Sequence, residues 1–257
     1  MSFTTDWLTL RASFDTAARS EMLETRLDGW AATRAAGRPL NVVDLGAGSG
    51  NNLAHLKQRL GVQQRWTLIN SDAALLAEAA RRHPDAALRQ DDLAGDLAAL
   101  IPDGTDLVTA SALIDLVSRA WLADLVGRVG ELNCALFVVL TYDGRIAWEN
   151  ETAGDREIRD LVNRHQHGDK GLGPALGPDA PDALKALLPD VHRARSDWRV
   201  GAGDTAMRKA LIDGWASAAA EIAPDRAVGI ASWRVHAADE PRALTVGHAD
   251  QLWLPTP

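Results

Sequence analysis

The sequence predicts an α/β protein built on a doubly wound, mostly parallel sheet. Three observations predict it. Apolar runs of strand length alternate with segments of helical periodicity between residues 40 and 140. The run ALFVVL (Ala135–Leu140) is apolar throughout, as a central parallel strand buried on both faces requires. The first run ends at Asp44 and opens into a turn with glycine at 46, 48 and 50, which leads into a helical pattern.

Each element follows in order. Trp7, Leu8, Leu10 and Phe14, then Met22, Leu23, Leu27 and Trp30, recur at helical spacing over about residues 5–36. Gly37 and Pro39 close that segment and lead into strand one at Leu40. Leu53, Leu56 and Leu60 mark one face of the first core helix. WTLIN (Trp66–Asn70) reads as strand two, followed by a helix over Asp72–Arg82 closed by Pro84. A short strand over Ala87–Gln90 precedes a helix near Leu93–Leu100 and a turn at Pro102, Asp103 and Gly104. DLVTA (Asp106–Ala110) is strand four, Trp121–Val129 a helix and Ala135–Leu140 strand five.

After Tyr142 the rhythm breaks. Residues 144–178 hold charges, histidines and the cluster GLGPALGP (Gly171–Pro178). A helix over Asp182–Leu188 and a strand over Arg195–Val200 are expected next. Helices over Thr205–Ile222 and Asp225–Ala238 follow, then a last strand beginning at Ala243.

Composition excludes several classes. At 257 residues and 46% hydrophobic, the chain can bury a sizeable core. A formal net charge of −8 argues against nucleic acid as a partner, because phosphate binding needs a basic face. No apolar run approaches the ~20 residues of a membrane span. The start MSFTTDWLTLR lacks a basic region followed by an apolar stretch, so no secretory signal is expected and the cytoplasm is the expected location. The single cysteine, Cys134, permits no intrachain disulfide and no cysteine zinc cluster, and its place at the head of an apolar strand reads as core.

The segment NVVDLGAGSGNNL (Asn41–Leu53) carries the functional signal. Read from Gly46, the dinucleotide pattern G-x-G-x-x-G fails, because position 51 is Asn51. An acidic residue just before G-x-G-x-G instead resembles motif I of the class I S-adenosylmethionine (SAM) methyltransferases. That resemblance implies a seven-stranded sheet with a Rossmann-like fold, and a turn of Asp44, Gly46, Ala47 and Gly48 cradling the methionine part of SAM. Asn51 and Asn52 open the next helix, where they either meet the ligand or cap the helix. Ligands of open α/β sheets bind beyond the carboxyl ends of the strands. Strand two ends at Asn70, Ser71 and Asp72, where the family usually places an acid on the ribose hydroxyls. Here the first residue is an amide, a departure from the pattern, and Asp72 is well placed to cap the next helix. Asp91, Asp92 and Leu93 after strand three match the family's adenine position, with either aspartate as ligand or as an N-cap. Ala110 and Ser111 after strand four lie under the transferable methyl.

Absent motifs narrow the acceptor. No D/N-P-P-Y/F follows strand four, so amino methylation of adenine, cytosine or glutamine is not suggested. The segment NRHQHGDKGLGPALGP (Asn163–Pro178) gathers His165, His167, Asp169 and Lys170, one of four lysines in the chain. It reads as a solvated loop, as a cap that meets the acceptor through His165, His167 or Lys170, or as a metal site using His165, His167 and Asp169. With its WLTLR start (Trp7–Arg11) and its NRHQ, DKG and GPALGP stretches, the chain resembles a bacterial group of class I methyltransferases without an assigned substrate. The expectation is one methyltransferase domain over 1–257, with N-terminal helices in 1–38 and a SAM-binding core in 40–143. A cap insertion over 144–178 and the rest of the sheet in 179–257 complete it. Its expected activity is SAM-dependent methyl transfer to a small-molecule acceptor, with no metal. The alternatives are a SAM binder without transferase activity and a nicotinamide oxidoreductase.

Overall fold

The computed structural model describes residues 5–255; residues 1–4 of the expected N-terminal segment and residues 256–257 lie outside them. Eight strands form one sheet, in the order β3-β2-β1-β4-β5-β8-β6, with β7 also paired to β8. β1 (Leu40–Leu45), β2 (Gln64–Asn70), β3 (Ala87–Gln90), β4 (Leu107–Ser111) and the first part of β5 (Ala135–Trp148) run parallel. β8 (Leu244–Trp253) is antiparallel to β5, and β6 (His192–Arg195) and β7 (Trp198–Val200) are antiparallel to β8. The expected sixth strand over Arg195–Val200 is thus two short strands, because Ser196 and Asp197 leave the ladder between them. That raises the strand count from seven to eight.

Helices cover both faces of the parallel part. On one face Leu23 and Leu27 of α2 (Glu21–Ala35) and Leu53 and Leu56 of α3 (Asn51–Arg59) are buried with Val42, Leu68 and Phe137. α4 (Ala73–Arg82) adds Ala79. On the other face Leu122 and Leu125 of α6 (Arg119–Glu131) and Leu184 of α8 (Ala180–Leu187) are buried with Val43, Val108 and Val138. α5 is shorter than its apolar pattern predicts, Leu97–Leu100 only, because Asp92 and Asp96 each cap a turn before it. Cys134 is fully buried, as its setting predicts.

The helical segment expected over 5–36 is two helices, α1 (Thr5–Ala18) and α2. Ser20 breaks it, its hydroxyl capping Leu23 N and its own amide donating to Asp250 Oδ2 at 2.9 Å. Asp250 also accepts Leu140 N at 2.8 Å. Leu140 has φ +55° and sits at a bulge in β5. A buried carboxylate therefore takes the amide that the bulge removes from the ladder.

Beyond that bulge β5 continues as far as Trp148, paired with the start of β8, and a second lobe grows on this extension. The 144–178 segment is not one insertion. Residues 144–148 complete β5, and residues 153–166 are α7 (Ala153–Gln166), with a capping box between Thr152 and Asp155. The remainder is a loop ending in a short 3₁₀ turn at Gly177–Asp179. Ile158, Leu161, Val162 and His165 share the buried face of α7, which packs on α9 (Thr205–Ile222). α10 (Ala227–Asp239) and α1 complete the lobe, whose centre is Trp148, Trp198, Trp215 and Met207. No described helix is long and apolar enough to cross a membrane.

Candidate functional site

The carboxyl ends of β1, β2 and β4 meet under α1. β1 ends at Leu45, and the chain turns through Gly46 (φ +67°), Gly48 (φ +54°) and Gly50 (φ +81°) into α3. Three left-handed residues in five explain why glycine recurs there. A Cβ on Gly46 would lie 3.3 Å from Leu113 Cδ1, and one on Gly50 would fall 2.6 Å from the His83 ring. Ala47 N donates to Ile69 O at 3.0 Å, which ties the turn to β2.

A buried polar chain underlies the turn. Asn52 Nδ2 donates to Asp44 Oδ1 at 3.0 Å and to Thr109 Oγ1 at 3.1 Å. Arg19 Nη1 donates to Asn52 Oδ1 at 3.0 Å. Asp44 Oδ2 has no partner. Burial pushes the Asp44 carboxyl up to about 7, against the Asn52 bond and the field of Arg19. Arg19 is itself drawn below the usual arginine range by burial, although Asp250 and Glu24 oppose the shift.

α1 lies across this turn. Asn51 Nδ2 donates to Leu8 O at 3.1 Å, while Asn51 Oδ1 accepts from Arg82 at 2.7 Å. A narrow cleft of about 60 Å³ runs between Leu8, Arg11 and Asp15 of α1 and Asp44, Gly46 and Ser111 below. A second, of about 190 Å³, shares Asp15, Asn51, Asn52 and Ser111 with the first and reaches Arg19 and His55.

The structure brings Asp44, Gly46, Ala47, Gly48, Asn51, Asn52 and Ser111 to this cleft, with Ala110 buried beside them. Leu93 reaches it as well, 3.8 Å from the position of a Cβ on Gly46. Asn70 ends β2 half-buried. Asp72 caps α4, accepting Ala74 N at 2.8 Å and Leu75 N at 3.1 Å, and Ser71 is exposed beside it. Asp91 is held by Arg89 at 2.6 Å, and Asp92 accepts Ala94 N at 2.9 Å.

His165, His167 and Lys170 lie elsewhere. His165 is buried on α7 with Nε2 2.9 Å from Glu221 Oε2 of α9, and Lys170 Nζ donates to His165 O at 3.2 Å. His167 Nδ1 is 3.4 Å from Ala175 O. None of the three borders the clefts under α1. Among the described residues no three His, Cys, Asp or Glu side chains converge as a metal site requires.

Sequence reasoning missed Arg11, Arg19 and Asp115. Arg11 and Asp15 stand at i and i+4 on α1, a legible helical pair. Asp115 interrupts the apolar stretch Leu113–Val117, and a lone acid in such a run is itself a signal.

Residues 42–132 match a family described as a methyltransferase domain. The matched segment, similar to a methyltransferase domain, runs from β1 to the end of α6 and contains the glycine turn and Ser111. No curated protein sequence matches the chain. Among solved structures, a cyclopropane-fatty-acyl-phospholipid synthase-like protein from Lactobacillus casei ATCC 334 aligns over 94% of this chain and 98% of its own. Its identity is 15% and its TM-score 0.52, a likeness of fold over almost the full length. The plantazolicin methyltransferase BamL aligns over 96% and 90%, at 12% identity and a TM-score of 0.46. DesVI of Streptomyces venezuelae aligns over 56% of this chain and 61% of its own, at 19% identity and a TM-score of 0.39. The chain therefore spans about six-tenths of DesVI.

Proposed function

We propose that this chain is a SAM-dependent methyltransferase acting on a small-molecule acceptor. The observation that carries the reading is the left-handed glycine turn after β1, set between β2 and β4 beside an unpartnered Asp44 oxygen. The residues present suit this donor. The turn admits a close backbone approach that a Cβ would obstruct at Gly46. Asp44 and Asn52 offer polar groups to the amino-acid end, and the free N–H groups opening α3 favour a carboxylate. Asn70 offers a neutral amide to the ribose. Asp72 is spent on its cap, so Asn70 is the better ribose candidate.

When bound, the donor supplies an activated sulfonium methyl. The chain's own task is to align acceptor and methyl and to exclude water, and α1 lies across the glycine turn where such exclusion is needed. The acidic balance favours a small acceptor over nucleic acid.

Titration calorimetry with S-adenosylhomocysteine (SAH) and, separately, NADH tests the reading. SAH is expected to bind with a micromolar Kd and NADH not to bind. Binding of NADH alone would replace the reading with an oxidoreductase. SAH binding without turnover on any acceptor would favour a SAM binder, to which the neutral Asn70 lends support.

A further inference from the structure

Arg11 borders the donor cleft and also faces a second set of buried polar groups. Asp115 comes from the loop after β4, Tyr142 from β5 just past its bulge, and His248 from β8. Tyr142 and His248 pack edge to face, with ring centroids 6.2 Å apart. Trp198 stacks on His248 at 4.6 Å and under Arg11 at 4.9 Å. Arg11, which borders the donor cleft, connects that cleft to this group through Trp198.

The hydrogen-bond inventory of this cluster is lopsided. Arg11 is committed to Asp15, at 2.9 Å and 3.2 Å. The Trp198 indole N–H donates to Asp15 Oδ1 at 3.0 Å. The Tyr142 hydroxyl donates to Asn163 Oδ1 at 2.7 Å. His248 Nδ1 lies 3.1 Å from Val246 O, so the proton belongs on Nδ1 and Nε2 is left as an acceptor. Asp115 Oδ1 has no partner, and Asp115 is 7% exposed. An unpartnered acceptor at such depth is costly unless a ligand supplies a donor.

We infer that this cluster is the acceptor subsite, and that it takes a neutral amine or hydroxyl whose N–H or O–H points at Asp115. The inference rests on the methyl-transfer reading above. An anionic acceptor is disfavoured, because it would meet the Asp115 carboxylate while Arg11 is already engaged. The acceptor lone pair forms the new bond to the methyl carbon. The carbon–sulfur bond breaks and its electron pair stays on sulfur. The acceptor's proton passes to Asp115, which returns it to water once the product leaves.

Two further features suit the role. Burial pushes the Asp115 carboxyl up to about 6, with only its own backbone N–H and the field of Arg11 opposing, so it is a proton acceptor poised near neutrality. Its loop is also held from outside. Gly177 N donates to Asp115 O at 2.8 Å, Leu176 N to Val117 O at 2.8 Å, and Ser118 N to Leu172 O at 3.2 Å. The glycine and proline segment after α7 thus braces the loop through its backbone.

The test uses the full chain saturated with SAH and three neutral-pH probes of similar size: aniline, benzyl alcohol and benzoate. Ligand-observed NMR titration is expected to show aniline and benzyl alcohol binding at least tenfold more tightly than benzoate. Asp115→Asn should weaken aniline at least tenfold while SAH affinity stays within twofold, which also reports an intact fold. Equal binding of benzoate, no binding of any probe, or unchanged aniline affinity in Asp115→Asn would overturn the assignment. A wild-type chain that fails to bind SAH would instead remove the proposed function, and the subsite's role with it.

Discussion

Asp155 in the outer lobe and Asp115 beside the donor cleft are both buried carboxylates, yet they are treated in opposite ways. Asp155 opens α7 and accepts from Thr152 N and Oγ1 at 2.8 Å each, from Trp233 Nε1 at 2.8 Å and from Arg242 Nη1 at 2.7 Å. Burial pushes its carboxyl up, but Arg242 and these donors outweigh burial and hold it at about 2. Asp115 is also buried but has almost no partners, and it sits at about 6. Depth alone does not set the charge of a buried acid; the donors around it do. The lobe satisfies its acid to hold α7 and β8 together. The loop after β4 leaves its acid unsatisfied, which costs stability that only a ligand repays.

The largest expected effect separates the two acids by stability. Asp155→Ala strands Arg242 and should cost about 3–5 kcal/mol in urea unfolding. Asp115→Asn should change stability by less than about 1 kcal/mol, or raise it, because it removes a poorly partnered charge. Equal losses in both variants would break the contrast.

Acid unfolding provides the next test. The folded carboxyl of Asp155 lies below its ordinary value of 3.8, so its stabilisation is full above about pH 4 and is lost as pH falls toward 2. The size is roughly 2 kcal/mol. Asp44 behaves with the opposite sign. Its folded value near 7 lies above 3.8, so stability is lost as pH rises between these values. Asp44→Asn should therefore unfold at a higher temperature than wild type at pH 8 and lose that advantage at pH 4. An advantage that persists at pH 4 would show that the carboxyl is not protonated in the fold.

Gly48→Val asks for a β-branched residue at φ +54°, with its Cβ 3.4 Å from Leu8 Cδ1. It should weaken SAH at least tenfold, about 1.4 kcal/mol by calorimetry. Unchanged affinity would detach the glycine turn from donor binding.

The smallest effect is at Asn70. Asn70→Asp should tighten SAH by less than tenfold, because a charged acceptor gains roughly 1 kcal/mol over a neutral one and part of that is lost in desolvation. Weaker binding would place the ribose elsewhere.

Much of the fold was legible because the parallel part obeys local rules. Strand-length apolar runs, glycine after β1 and proline after α4 mark its elements without help from tertiary contacts. The outer lobe was less legible. β5 runs on past Tyr142 because Asp250, more than a hundred residues later in the chain, takes the amide at its bulge, and no local pattern announces that partner. The amphipathic face Ile158, Leu161, Val162 and His165 was readable as a helix, but the density of charge and histidine around it suggested a loop. At the site, the residues belonging to the turn could be read from a motif. Arg11 and Asp115 belong to no such motif, since they come from distant segments and meet only after folding.

α1 touches both halves of the site. Leu8 packs beside Gly48, and Arg11 lies between the donor cleft and the Asp115 cluster. Whatever ligand fixes α1 in place for one half has already met the ordering cost for the other. Occupancy of the two halves is then linked in free energy and reciprocal, so that each ligand raises the affinity for its neighbour by the same factor.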